Sequence, residues 1–300
     1  MSKGKRVRGE RASHPARSTS RSSKTSSPSY SQKLDRASQH IEDLGIAERT
    51  WLGTSAYAIV TEADPKTGRT VSKARITEPP PGLLSLIVGD AVHALRASLD
   101  HLALELAVAH QSPAPLSEPI EKASEFPILP LKAGNDLGSD LFHRVKKTGE
   151  PAPGSGLHKL QGVHPDAVEA IEGKQPYHRG TAFAEDPLWV IHELDRIDKH
   201  RRLHLTAYAM GAVGIGAGPG ETAYIGKLHG EKMGHSGPVE DGTPVAIFTA
   251  SLDSHFQLHF SRQITLAESG LPNGGALAES LAKLRDYVQD EIAPLLKLWL

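Results

Sequence analysis

One stretch constrains this chain more than any other. Between Leu83 and His110, the residues Val92, Leu95, Leu99, Leu102 and Leu106 recur three and four apart. That spacing places side chains on one face of a helix of about 3.6 residues per turn. A stripe so long has to be covered, so this helix is expected to be the spine of the fold. Asp90, His93, Arg96, Asp100, His101 and Glu105 break up its apolar run, which argues against a membrane span, and no membrane partner is expected.

The remaining elements read around that spine. Leu34, Ile41, Leu44 and Ile46 mark an amphipathic helix up to Trp51, with Ser29 and Ser31 as cap candidates. Tyr57 to Glu62 and Thr70 to Thr77 are β-branched runs joined by Asp64-Pro65-Lys66-Thr67-Gly68, a hairpin signature. Residues 111–156, rich in Pro and Gly, read as a surface excursion with a short apolar piece at Phe126 to Leu129. A short helix is expected over His164 to Gly173. A cap and an N1 proline at Asp186-Pro187 introduce another over Leu188 to Lys199, which would pair antiparallel with the spine.

Beyond Arg201 the period shifts towards two, and Leu203, Leu205 and Ala207 predict a strand. Glu221 to Leu228, Pro244 to Leu252 and His255 to Leu266 predict three more, in an antiparallel meander. Leu277, Leu281, Leu284, Val288 and Ile292 place a final helix over Ala276 to Leu298, with Pro294 expected to kink its end. The expected fold is α+β. A long antiparallel helix pair and the N- and C-terminal helices would pack with an antiparallel sheet of about four strands and an extra hairpin.

Composition narrows the chemistry. The chain has 300 residues, enough for a real core, and no cysteine, so thiol nucleophiles, thiolate metal sites and disulfides are excluded. Residues 1–33 hold nine Lys or Arg against Glu10, with ten serines and few apolar groups, and are expected to be a disordered basic tail. The single α+β domain would then span 34–300. The remainder has 25 basic and 34 acidic residues and is acidic overall, which disfavours a polyanion on the body. The tail reads either as an arm that touches nucleic acid weakly or as a solvated leader. It lacks the apolar core of a secretory signal, so a cytoplasmic location is expected.

The candidate site lies on the helix pair. His93, Arg96 and Asp100 share a face beside the leucine stripe, and His101 points about 100° away from Asp100. On the second helix, Asp198 falls four after Leu194 and seven after Ile191, on the apolar face. A carboxylate there needs a cation, and Arg96 is the expected partner. Lys199, His200 and Arg201 crowd the helix exit. Two readings stay open: a structural ion pair locking the helices, or a catalytic centre in which Arg96, His101 and His200 act, supported by His93, Asp100, Asp198, Lys199 and Arg201.

The segments Leu95-Arg96-Ala97-Ser98-Leu99-Asp100-His101-Leu102 and Asp198-Lys199-His200-Arg201 resemble those of a bacterial family of uncharacterised proteins with LRxxLDHL and DKHR motifs. Arg96 followed after four residues by His101 is also similar to the Rx4-6H motif of the HEPN superfamily, which includes metal-independent ribonucleases of defence and toxin systems. That resemblance implies RNA as a partner and no cofactor. Arg96 would stabilise phosphate charge, His101 would move protons near a ribose 2′-hydroxyl, and His200 or Lys199 would assist. It also implies a helical bundle, whereas the second half of this chain predicts a sheet.

Three alternatives complete the reading. A non-catalytic binding or scaffold protein, possible as a homodimer, would use the same residues only to hold helices together. A metal-dependent hydrolase would draw on His192, Asp195, His200, His204 and His101, because His200 and His204 have helical zinc-ligand spacing. The Gly-rich run Val213 to Gly220 lacks a following Gly-Lys-Ser/Thr and reads as a turn, and His229, His235, His255 and His259 read as strand-edge residues. No nucleophile elbow supports a serine triad.

Overall fold

The computed structural model describes residues 27–133, 136–215, 228–250, 256–268 and 276–300. Most of the basic tail (1–26), the Gly-rich run from 216 on, most of the strand expected over 221–228, and His255 lie outside the described residues. Helix α1 (Ser29–Leu52) starts five residues before the expected boundary at Leu34, so residues 29–33 belong to the fold and not to a disordered tail.

Strands β1 (Tyr57–Asp64) and β2 (Arg69–Ile76) follow as the expected hairpin, and then comes the spine, α2 (Gly82–Gln111). Next are α3 (Glu118–Ala123), the two-residue strands β3 (Lys132–Ala133) and β4 (Asp136–Leu137), α4 (Gly138–His143), α5 (Gly156–Lys159) and α6 (Pro165–Gly173). A 3-10 segment, Pro176–Glu185, leads into α7 (Pro187–Asp198). Strands β5 (Leu205–Ile215), β6 (Leu228–Lys232), β7 (Gly234–Val239), β8 (Pro244–Ala250) and β9 (Phe256–Leu266) precede α8 (Leu277–Asp286). A π-helical turn, Tyr287–Ile292, and the short α9 (Ala293–Leu296) close the C-terminal helix.

The fold is α+β. Its strands form an antiparallel four-stranded sheet in the order β1-β2-β8-β6, an antiparallel three-stranded sheet in the order β7-β5-β9, and the small β3-β4 pair. The hairpin is therefore not an extra: β2 pairs with β8, Val71 opposite Ile247, and extends the larger sheet. Its inward residues are the small Thr70, Ser72 and Ala74, which give no large-apolar alternation to read.

The spine serves two cores. Its first half sends Leu84, Val88 and Val92 into a cluster with Leu44 and Trp51 of α1, Leu194 of α7, Ala209 and Ile264 of the smaller sheet, and Leu281 of α8. Its second half sends Leu95, Leu99, Leu102 and Leu106 into a cluster with Phe126, Phe142, Ile171, Leu188 and Ile292. Each of these leucines is fully buried, worth about 1.5–3 kcal/mol of transfer free energy apiece. Gly82–Gln111 is long and apolar enough by composition to cross a membrane, but most of its apolar window is covered inside the protein.

The Pro/Gly-rich excursion is more than surface. Phe126, Ile128 and Phe142 are buried, and the extended backbone there is satisfied by the buried Gln175. Its Oε1 accepts from Leu129 N at 3.0 Å and its Nε2 donates to Pro127 O at 2.8 Å, as a neighbouring strand would.

Candidate functional site

Helices α2 and α7 run antiparallel, as three side-chain meetings show. Asp198 lies on Gly89, Asp195 bonds His93, and His192 feels the charge of Arg96. This register overturns the expected Arg96–Asp198 pair. Asp198 sits two helical turns from Arg96, against bare backbone at Gly89, where a Cβ would collide with its carboxylate. Burial raises its pKa, the carboxylates of Asp195 and Asp90 raise it further, and only His93 opposes them.

The deeply buried carboxylate of α7 is instead Asp195, at 4% exposure. Lys199 Nζ lies 2.6 Å from its Oδ2 and His93 Nδ1 lies 3.2 Å from its Oδ1. Asp195 falls four after Ile191 and seven after Leu188, so helical spacing could have named it as readily as Asp198.

Arg96 is buried and committed to a different segment. Its Nη2 lies 2.8 Å from Asp100 Oδ1, one turn along the spine, and donates at 2.8 Å to Glu125 Oε1 and at 2.8 Å to Phe126 O. Asp100 returns the contact by accepting from Phe126 N at 3.0 Å. Lys159 Nζ of α5 meets Glu125 Oε1 at 3.0 Å. Two cations and two carboxylates thus clamp the start of the buried, extended Phe126 segment onto the spine. Burial raises the pKa of Asp100 despite Arg96, whereas at Glu125 the cations Lys159 and Arg96 outweigh burial and lower it.

His192 of α7 borders this clamp. Burial, then Arg96 and Lys159, hold its imidazole down to about pKa 4, against Glu125 and Glu193, so it is neutral at physiological pH. Three buried polar atoms of the neighbourhood, Arg96 Nη1, Ser124 Oγ and His158 Nδ1, have no hydrogen-bond partner.

His101 faces elsewhere. Five residues of helix rotate it about 140° from Arg96, and its Nδ1 meets Ser29 Oγ at 2.9 Å. Ser29 Oγ donates to Glu105 Oε1 at 2.5 Å, and the same oxygen accepts from the backbone N of Ser29 and Tyr30 at 2.6 and 3.2 Å. Ser29 and Ser31 therefore sit inside α1 and do not cap it; the carboxylate of Glu105 does, favoured by the helix dipole.

His200 is exposed just past the end of α7. Arg201 Nη2 meets Glu268 Oε2 at 2.7 Å, and Glu268, 1% exposed, also accepts from His204 N at 2.7 Å. Arg96, His101 and His200 thus engage three different surroundings, with no hydrogen bond or ion pair between them among the described residues. His192, Asp195, His200, His204 and His101 do not form a metal site either: no group of three His, Asp or Glu suited to a metal occurs among the described residues.

Sequence reasoning missed the roles of Glu105, Glu125, Lys159 and Glu268, and named Asp195 only as a metal-ligand candidate. Only Asp195 carried a spacing signal; the others partner through long-range contacts that no local pattern reveals. Set beside known proteins, the chain matches no family model, no curated protein and no solved structure.

Proposed function

We propose that this chain is a non-catalytic binding protein in which Arg96 and His101 are structural. The observation that carries this reading is the commitment of the Arg96 guanidinium to Asp100, Glu125 and the Phe126 carbonyl. These contacts all fall on Nη2, and the unpartnered Nη1 is buried out of reach of a phosphate from solution, while His101, turned towards α1, is not beside it. The acidic balance outside the tail supports a ligand other than RNA.

Incubation of the purified chain with structured and single-stranded RNA, beside Arg96→Ala and His101→Ala, tests this. The expected result is no cleavage by any of the three, together with a lower melting temperature for Arg96→Ala. Leaving Asp100 and Glu125 short of a cation is expected to cost about 3 kcal/mol. RNA cleavage by the wild-type chain that disappears in a folded His101→Ala variant would overturn the reading in favour of a HEPN-like ribonuclease.

A further inference from the structure

We propose that the recess where the end of α6, the 3-10 segment and the start of α7 meet the π-helical turn binds a small molecule through its carboxylate or phosphate group. Arg179 and His178 would hold the anionic group beside the Tyr287 hydroxyl. This deepens the binding-protein reading by naming a site and a ligand class.

The space is of a suitable size. At about 420 Å³, the recess falls inside the range of roughly 300–1,000 Å³ usual for ligand pockets. Its polar groups converge from four separate elements: Lys174, His178, Arg179, Asp186, Tyr287 and Glu291.

Donor capacity there is only partly spent. The nearest acid to Arg179 is Asp186, whose Oδ2 lies 3.7 Å from Nη1, beyond a normal N–H···O distance. Asp186 is itself occupied, because its Oδ1 caps α7 by accepting from Leu188 N at 2.9 Å. A guanidinium has five N–H donors in a fork that matches a carboxylate or phosphate, and Arg179 keeps its side chain 46% exposed beside the recess. His178 rests its ring 4.4 Å from that of Tyr177.

The other cation is balanced. Lys174 Nζ lies 3.3 Å from Glu291 Oε2 and 6.0 Å from the Tyr287 ring centre, so it borders the site without filling it. Burial, with Asp186 and Glu291, pushes the Tyr287 hydroxyl up to about 12, which keeps it an O–H donor at any physiological pH.

A second observation concerns the backbone. Both residues that the C-terminal helix contributes, Tyr287 and Glu291, come from its single π-helical turn, and such turns are found preferentially at functional sites. Pro294 explains why the widening is possible here: it has no N–H to return to Asp290 O, so the regular ladder is already broken.

The test is a titration of the full chain with sodium acetate and, separately, with inorganic phosphate, at constant ionic strength. The His178 ring proton resonance, assigned with His178→Gln, is the readout. The expected result is a saturable shift with at least one anion, at a dissociation constant on the order of 1 mM. Arg179→Ala is expected to weaken it by about tenfold or more and Tyr287→Phe by about fivefold, each measured below the variant's own melting temperature. Which anion binds more tightly decides between carboxylate and phosphate. No saturation with either, or wild-type binding by Arg179→Ala, overturns the proposal. The RNA assay is independent of this titration, so the failure of one reading is distinguishable from the failure of the other.

Discussion

A histidine buried beside two cations has a stability signature. His192 titrates near 4 in the folded chain and near 6.5 when unfolded. Because its folded pKa is depressed, the unfolded chain binds the proton more readily below pH 6.5, and stability falls as pH drops from about 6.5 to about 4. The full loss corresponds to about 3 kcal/mol. His192→Gln is expected to flatten that part of the stability curve measured by urea unfolding between pH 7 and 4. An unchanged slope would show that the imidazole is not shielded as described.

At the same scale lies the expectation that failed. Arg96 and Asp198 were both legible as groups needing a partner, and both are at least partly buried. What sequence could not supply was the rotation of one helix against the other, or the arrival of a third segment. Glu125 and Phe126 come from the excursion, 29 and 30 residues away, and reach the guanidinium first. Periodicity names the face on which a side chain sits; it is silent about who faces it.

Among elements, the contact of α2 with α7 turns on Gly89. Its missing Cβ is what lets the Asp198 carboxylate lie against the spine. Gly89→Ala is therefore expected to destabilise the chain by about 1–3 kcal/mol, although alanine is the better helix former. Asp198→Ala should recover most of that loss in the double variant, and additive effects in thermal unfolding would refute the collision.

The longer helices and α6 were legible because each carries a stripe or a proline cap, whereas the short α3, α4 and α5 were not read as helices. The sheets were less so. Strand β7, Gly-His-Ser-Gly-Pro-Val, has neither alternation nor a β-branched run, and β2 turns Thr70, Ser72 and Ala74 inwards. The π-helical turn had only Pro294 as a sign, and that sign was read as a kink.

For the molecule as a whole, the sharing of α2 between two cores predicts cooperative unfolding. Trp51 reports the core against the sheets, while Trp189 and Trp299 pack on the other. Variants retaining only Trp51 or only Trp189 are expected to give the same urea midpoint by fluorescence, because neither cluster keeps its cover once the spine unwinds. Two separated midpoints would mean that the spine does not couple them.

The hairpin closed by the Val145–Pro151 bridge has the opposite character. Residues 143–150 are all exposed, while Phe142 before them and Leu160 after them are anchored in one cluster. The covalent connection across that tip therefore adds little to what packing already holds in place, and a chain opened there would keep both flanks seated. New termini, or an inserted reporter domain, belong at Lys146 to Gly149.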